Sequence, residues 1–151
     1  MSIGELCNRE VIIVEADAPI GEAVKLMRDY HVGDVVVVES HGAQRVPVGM
    51  LTDRDIVIEI LAEAVDPQSL SIRDVMSADL VTVREDEDLT GVIATMRRHG
   101  VRRVPVVNEQ GGLEGIITVD DVLELLAEQM NGLAGLVRTE QAHEQAIRSR
   151  P

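Results

Sequence analysis

The feature that most constrains this chain is that it is written twice. Gly49-Met50-Leu51-Thr52-Asp53-Arg54-Asp55-Ile56 recurs as Gly115-Ile116-Ile117-Thr118-Val119-Asp120-Asp121-Val122. Upstream, residues 3–42 match the second half at a constant shift of 69, with identities that include Ile3/Ile72, Val14/Val83, Asp17/Asp86, Met27/Met96, Val35/Val104, Val37/Val106, Val38/Val107 and Gly42/Gly111. Past the turn the shift falls to 66, so the first copy carries three extra loop residues. A competing match of Arg45-Val46-Pro47-Val48 to Arg103-Val104-Pro105-Val106 is rejected, because it puts the two Gly-x-x-Thr turns out of step. Internal repeats of this kind are modules that bury a shared face. Each copy, at roughly 55 residues, is too small to be securely stable alone.

The elements repeat with the sequence. Residues 2–7 predict a short helical turn, with Ser2 and Glu5 in capping-box spacing. Residues 11–14 form a short apolar run read as a buried strand. Pro19 suits the first turn of a helix, and Ile20, Ala23, Val24 and Met27 mark one buried face of it. Four consecutive valines, residues 35–38, predict a strand buried on both faces, as in a parallel sheet. Residues 46–51 predict the next strand, with Pro47 near its start where a lost ladder donor is tolerated. A helix is expected over residues 53–64. Its apolar residues, Ile56, Val57, Ile58, Ile60 and Leu61, cover more than one side and call for a second partner.

After a linker at residues 66–69 the plan returns. A helical turn is expected at 71–76, strands at 80–83, 103–107 and 113–118, and helices through Leu89, Val92, Ile93 and Met96 and over 119–130. The fold class is therefore mixed α/β (α+β): two β-α-β-β-α repeats packed as one pseudo-two-fold module. The expected domains are residues 1–65, residues 66–130, and a C-terminal helix or tail over 131–151. In that tail Leu133, Leu136 and Val137 extend an apolar stripe that would pack on a dimer partner.

Composition narrows the function. The chain has 151 residues, 45% of them hydrophobic, but one Tyr and no Trp or Phe, so a base-binding pocket would be aliphatic. Recognition that stacks bases on aromatics is disfavoured. A net charge of −13 argues against nucleic acid and anionic membranes alike. Cys7 stands alone, so no disulfide forms within one chain. His31, His41, His99 and His143 are scattered without ligand spacing, and no metal site is expected. No catalytic constellation presents itself, so the chain is not read as an enzyme. Without a basic stretch leading into an apolar run, or about 20 consecutive apolar residues, a soluble cytoplasmic protein is expected.

Paired β-α-β-β-α units, each closing in Gly-apolar-apolar-Thr-x-x-Asp-apolar, together with the Val101-Arg102-Arg103-Val104-Pro105-Val106-Val107 run, resemble the CBS domain pair, the module named after cystathionine β-synthase. The resemblance covers about residues 2–130, and residues 50–66 are especially similar to the hypoxic-response type of small stand-alone CBS protein. It implies a cleft between the repeats for an adenosyl ligand (AMP, ADP, ATP, sometimes S-adenosylmethionine or NAD) and pairing of two modules in a homodimer.

On that reading each residue has a role. Asp55 and Asp121 would accept the two ribose hydroxyls, as charge-assisted bonds. Thr52 and Thr118 would place hydroxyls at ribose or phosphate, where the helix start also favours an anion. Arg54, whose counterpart is Asp120, and Arg103, whose counterpart is Asp34, would reach phosphate, so the two clefts should differ in their liking for it. Ile13, Val36, Thr82 and Pro105 would flank the adenine. The expected function is a regulatory sensor that binds an adenine nucleotide or S-adenosylmethionine and signals to a protein partner. The alternative is a ligand-free dimerisation module, because Thr-x-x-Asp is also an ordinary capping pattern; Ser2/Glu5 and Ser71/Asp74 show the same spacing where no site is expected.

Overall fold

The computed structural model describes residues 1–149. The element order is α1 (Ile3–Leu6), β1 (Ile13–Glu15), α2 (Ile20–Tyr30), β2 (Asp34–His41), β3 (Gln44–Thr52), α3 (Asp53–Ile56), then α4 (Ile72–Val75), β4 (Val83–Arg84), α5 (Leu89–His99), β5 (Arg103–Val107), β6 (Leu113–Thr118) and α6 (Val119–Arg148). Two three-stranded sheets have the same order, β1-β2-β3 and β4-β5-β6. The fold class is the mixed α/β arrangement the repeat predicts.

Each sheet is built around its valine-rich strand. In β2, Val35, Val36, Val37 and Val38 are at most 1% exposed, so the strand is buried on both faces. The sheet is mixed rather than parallel: β1 runs parallel to β2, and β3 antiparallel to it. β3 begins at Gln44, earlier than expected, which puts Pro47 inside the strand. Its missing N–H is accommodated on an edge strand, where the β2–β3 register shifts between Val37 and Val38.

Helix α2 buries Ile20, Ala23 and Met27, but Val24 is 44% exposed. Its repeat counterpart Ile93 in α5 is likewise 40% exposed, whereas Val92 and Met96 are buried. The apolar stripe is thus wider than the face each helix buries. α2 ends with His31 at φ 53, and α5 ends with the counterpart Gly100 at φ 65. Both use a left-handed C-terminal residue, and only the second copy uses glycine for it.

The expected helix over 53–64 departs from plan. It is α-helical only to Ile56, and a π turn follows over Val57–Leu61, closed by the Ala62 N–H donating to the Val57 carbonyl at 2.9 Å. The wider turn buries Ile60 at 1% and leaves Val57, Ile58 and Leu61 exposed.

The two repeats exchange segments. Residues Asn8 and Ile116 bridge, as do Met50 and Ser77, and each of these pairs is the repeat image of the other. Ile3 and Gly4 donate their N–H groups to the carbonyls of Glu87 and Glu85, both at 2.9 Å. Their counterparts Ile72 and Arg73 donate to Ala18 and Ala16, at 2.9 and 2.8 Å. So α1 is laid onto the second copy, and α4 onto the first. Ile72, fully buried, belongs to the core cluster of the first copy beside Val14, Ile20, Val35 and Leu51.

The glycine of each Gly-x-x-Thr motif makes room for this crossing. A Cβ on Gly49 would lie 2.6 Å from the Ser77 carbonyl oxygen; one on Gly115 would lie 2.6 Å from Cys7 Sγ and 2.8 Å from the Asn8 carbonyl oxygen. Cys7 is buried there, and burial pushes its thiol pKa up.

Arg73 adds a charged tie across the repeats, with Nε 3.1 Å from Asp17 and Nη2 2.5 Å from Glu39. Its hydrogen bond holds the Glu39 carboxyl below the usual glutamate range. A depressed folded-state pKa means the tie contributes fully above the unfolded value, about 4.3, and is lost as pH falls through the lowered one. Arg73→Ala should therefore narrow the stability gap between pH 7 and the acid limb, by a small amount because the groups are exposed. Urea midpoints measured across pH 3–7 check this; an unchanged acid slope would count against it.

The chain divides into two compact units, residues 1–117 and 118–151. The second is the 30-residue helix α6, one continuous element in place of a helix to 130 and a separate tail. It carries exposed Leu123, Leu126, Met130, Leu133 and Val137 at alternating spacings of three and four. Residues 150 and 151 of the expected tail lie outside the described residues. Among the described residues no helix is long and apolar enough to cross a membrane.

Candidate ligand site

A cavity of about 680 Å³ lies within the first unit, in the size range of small-molecule sites. Both repeats line it. The first copy contributes Gly33 and Asp34 at the start of β2, and Met50, Thr52, Asp53 and Arg54 at the β3–α3 turn. The second contributes Ser77, Asp79, Leu80 and Val81 before β4, and Gly100, Val101, Arg102 and Arg103 at the α5–β5 junction. The crossing at Met50 and Ser77 is what brings the segment before β4 to the turn of the other copy: the two residues exchange backbone hydrogen bonds at 3.1 and 2.9 Å.

The turn is held by its own side chains. The Asp55 N–H donates to Thr52 Oγ1 at 3.1 Å, and the Thr52 N–H donates to Asp55 Oδ2 at 2.9 Å. This reciprocal box satisfies two donors that would otherwise be orphaned at the helix start. Asp53 Oδ1 accepts the Arg54 N–H at 2.8 Å, and the Asp53 N–H donates to the Gly33 carbonyl at 2.9 Å. Gly33 matters for that approach, since a Cβ there would lie 3.2 Å from Asp53 Oδ2.

Across the cavity Arg103 is ion-paired with Asp34 through Nη1 and Oδ2. The two residues are repeat counterparts, 69 apart. Equivalent positions that touch each other must lie at the approximate two-fold between the repeats. Asp34 is the more enclosed partner, 13% exposed against 43% for Arg103.

Of the residues singled out from sequence, the cavity brings together Thr52, Arg54 and Arg103. Asp55 stands one step behind its lining, turned to the cap. Ile13 and Val36 are register partners in the first sheet. Val36 is buried, and Ile13 lines a separate hollow of about 140 Å³ with Arg9, Val11, Arg45, Leu113 and Glu114. Pro105 is buried in β5, and Thr82 is exposed next to the lining residue Val81. Thr118 and Asp121 belong to the second unit, where they close the same box as Thr52 and Asp55. The Thr118 N–H donates to Asp121 Oδ2 at 2.8 Å, and the Thr118 hydroxyl to the same oxygen at 2.7 Å.

Sequence reasoning missed Ser77 and Asp79, and it read Asp34 only as a counterpart rather than a lining residue. The signal for Ser77 was Gly49: a glycine inside an apolar strand implies a close backbone neighbour. The apolar wall is Met50, Leu80, Val81 and Val101, aliphatic as the composition requires. Among the described residues no group of three or more His, Cys, Asp or Glu is placed to hold a metal ion.

The repeated sheets, the exchanged leading turns and the shared cavity define a two-repeat α/β module, and comparison with known proteins gives the family. The family model for the CBS domain matches residues 3–62 and 72–128, so the chain belongs to the CBS-domain family and carries two copies in tandem. The CBS domain-containing protein YhcV of Bacillus subtilis is 35% identical over 144 residues, which cover 95% of this chain and 96% of that protein. Other relatives are longer. The chain spans 62% of the uncharacterized protein MK0525 of Methanopyrus kandleri, at 34% identity, and 22% of the inosine-5'-monophosphate dehydrogenase of Methanocaldococcus jannaschii, at 31%.

Among solved structures, Hypoxic Response Protein I with two coordinated zinc ions superposes with a TM-score of 0.70 at 29% identity, over 82% of this chain and 98% of that one. The CBS domain pair of protein MJ0100, in complex with 5'-methylthioadenosine and S-adenosyl-L-methionine, also gives 0.70, at 25% identity over 85% and 98%.

Proposed function

We propose that this protein is a regulatory, non-catalytic module whose 680 Å³ cavity binds an adenosyl ligand, of the AMP, ADP, ATP or S-adenosylmethionine class, and signals its presence to a protein partner. The observation that carries the reading is the cavity itself. It is lined by both repeats, with an aliphatic wall for a base and hydroxyl, carboxylate and guanidinium groups at the rim for a ribose and its 5' substituent. The MJ0100 pair, whose complex contains two adenosyl compounds, supports the same class. Thr52 and Arg54 would face the ribose end, and Asp55 would present its second carboxylate oxygen there. Because the lining comes from both repeats, a ligand that fits one inter-repeat angle better than another would shift that angle.

Self-association is part of the proposal. Leu123, Leu126, Met130, Leu133 and Val137 repeat as the seam of a coiled coil does, and Val24, Ile93, Val57 and Leu61 add exposed apolar surface. A second copy of the chain is the proposed occupant, and the protein is expected to work in the cytoplasm. The runner-up, a ligand-free dimerisation module, is favoured by the reciprocal Thr52/Asp55 and Thr118/Asp121 boxes, which use these hydroxyls and carboxylates to cap helix starts.

Calorimetric melting with AMP, ADP, ATP, 5'-methylthioadenosine and S-adenosylmethionine separates the two. A ligand at about one hundred times its Kd adds about 2.7 kcal/mol, a rise in Tm of about 5–10 °C for a chain of this size. No rise with any of the five at millimolar concentration would leave the dimerisation module as the reading.

A further inference from the structure

We infer that the cavity selects adenosyl ligands whose 5' group carries no polyphosphate, and that Asp34 is the residue that sets this preference. The inference rests on the adenosyl reading above and adds the class of ligand within it.

Two features that attract an anion into this cavity are already taken by the protein's own carboxylates. The Arg103 guanidinium is ion-paired with Asp34. The Arg54 N–H in the first helical turn, the kind of donor that phosphate uses, is bonded to Asp53 Oδ1 at 2.8 Å. A ligand phosphate would have to displace Asp34 or lie against it, with Asp53 and Asp79 also on the lining. Those three carboxylates balance the three guanidiniums of Arg54, Arg102 and Arg103, so the lining as a whole offers no surplus positive charge.

The surrounding field points the same way, because a chain of net charge −13 repels polyanions before they arrive. A thioether or sulfonium at the 5' carbon meets none of these costs. A sulfonium cation is favoured by the chain's net charge of −13, and a thioether packs on Met50, Leu80 and Val81. Asp34 is the decisive carboxylate because it is the one that holds the Arg103 guanidinium, and it is the less exposed partner of that pair.

The test is isothermal titration of the full chain at fixed ionic strength with 5'-methylthioadenosine, S-adenosylmethionine, AMP and ATP, for wild type and for Asp34→Asn. Wild type is expected to bind 5'-methylthioadenosine or S-adenosylmethionine at least about tenfold more tightly than ATP. Asp34→Asn, which releases Arg103, should shift the ratio of ATP to 5'-methylthioadenosine affinity by about tenfold or more toward ATP. Asp53→Asn should shift it the same way, and serves if Asp34→Asn melts below the working temperature. A wild-type preference for ATP, or a ratio unmoved in both variants, overturns the inference while the adenosyl reading stands. Absence of binding by all four ligands to wild type overturns both.

Discussion

Expressed separately, residues 1–65 and residues 66–151 should each be unfolded, and should acquire structure when mixed. Each copy keeps its own sheet, so a cut in the linker would seem harmless. The exchange of segments makes it severe. The first copy would lose Ile72 from its core and the hydrogen bonds that Ile72 and Arg73 give to Ala18 and Ala16. The second would lose Ile3, fully buried, and the bonds from Ile3 and Gly4 to Glu87 and Glu85. Burying one isoleucine is worth about 1.5–3 kcal/mol, and each of the lost hydrogen bonds contributes about 0.5–1.5 kcal/mol net. A unit of about 60 residues has a margin of only a few kcal/mol to begin with. Far-UV circular dichroism and urea titration of each fragment, then of the equimolar mixture, check this. A cooperative urea transition in either fragment alone would refute it.

Gly49→Ala and Gly115→Ala should each destabilise the protein by about 1–3 kcal/mol, the range for overpacking a filled site. The added carbon would meet backbone oxygen at 2.6 Å in the first case, and Cys7 Sγ at 2.6 Å with backbone oxygen at 2.8 Å in the second. Neither strand can back away without breaking the bridge it makes to the other copy. Gly132→Ala is the matched control. Nothing lies within 4 Å of its Cβ, and in a helix interior the change should stabilise by about 0.5–1 kcal/mol. Opposite signs in urea midpoints are the expected pattern. If Gly49→Ala were neutral, the crossing segment would not be packed as tightly as the geometry requires.

These glycines show how much could be read beforehand. The Gly-x-x-Thr-x-x-Asp motif was visible from the sequence as a turn that begins a helix, and its duplication identified the fold. The carboxylates of Asp55 and Asp121 are the proposed ribose contacts, and each also serves its own helix start. In the folded chain Asp55 Oδ2 takes the Thr52 N–H and Asp121 Oδ2 takes the Thr118 N–H, which is the local alternative that the same spacing encodes. Each glycine is legible in the sequence as part of that signature, but its reason, backbone oxygen of the other copy passing 2.6 Å (Gly49) or 2.8 Å (Gly115) from where its side chain would be, depends on residues more than twenty positions away. Val24 and Ile93 show a similar limit. Periodicity put them on the apolar face, but only packing shows how wide a strip of that face is covered.

The sequence by itself determined the mixed α/β class, the duplication, the double burial of the valine strands and the aliphatic character of any pocket. These follow from local periodicity and composition, which act residue by residue. The tertiary structure decided which copy each leading turn serves, that Ser77 and Asp79 join the Thr52 turn, and that Asp34 and Arg103 meet. The physical reason is that a repeat fixes two equivalent sets of contacts without saying whether each is made within a copy or between copies. Only the closed chain, with Ile72 in the first core and Met50 bonded to Ser77, makes that choice.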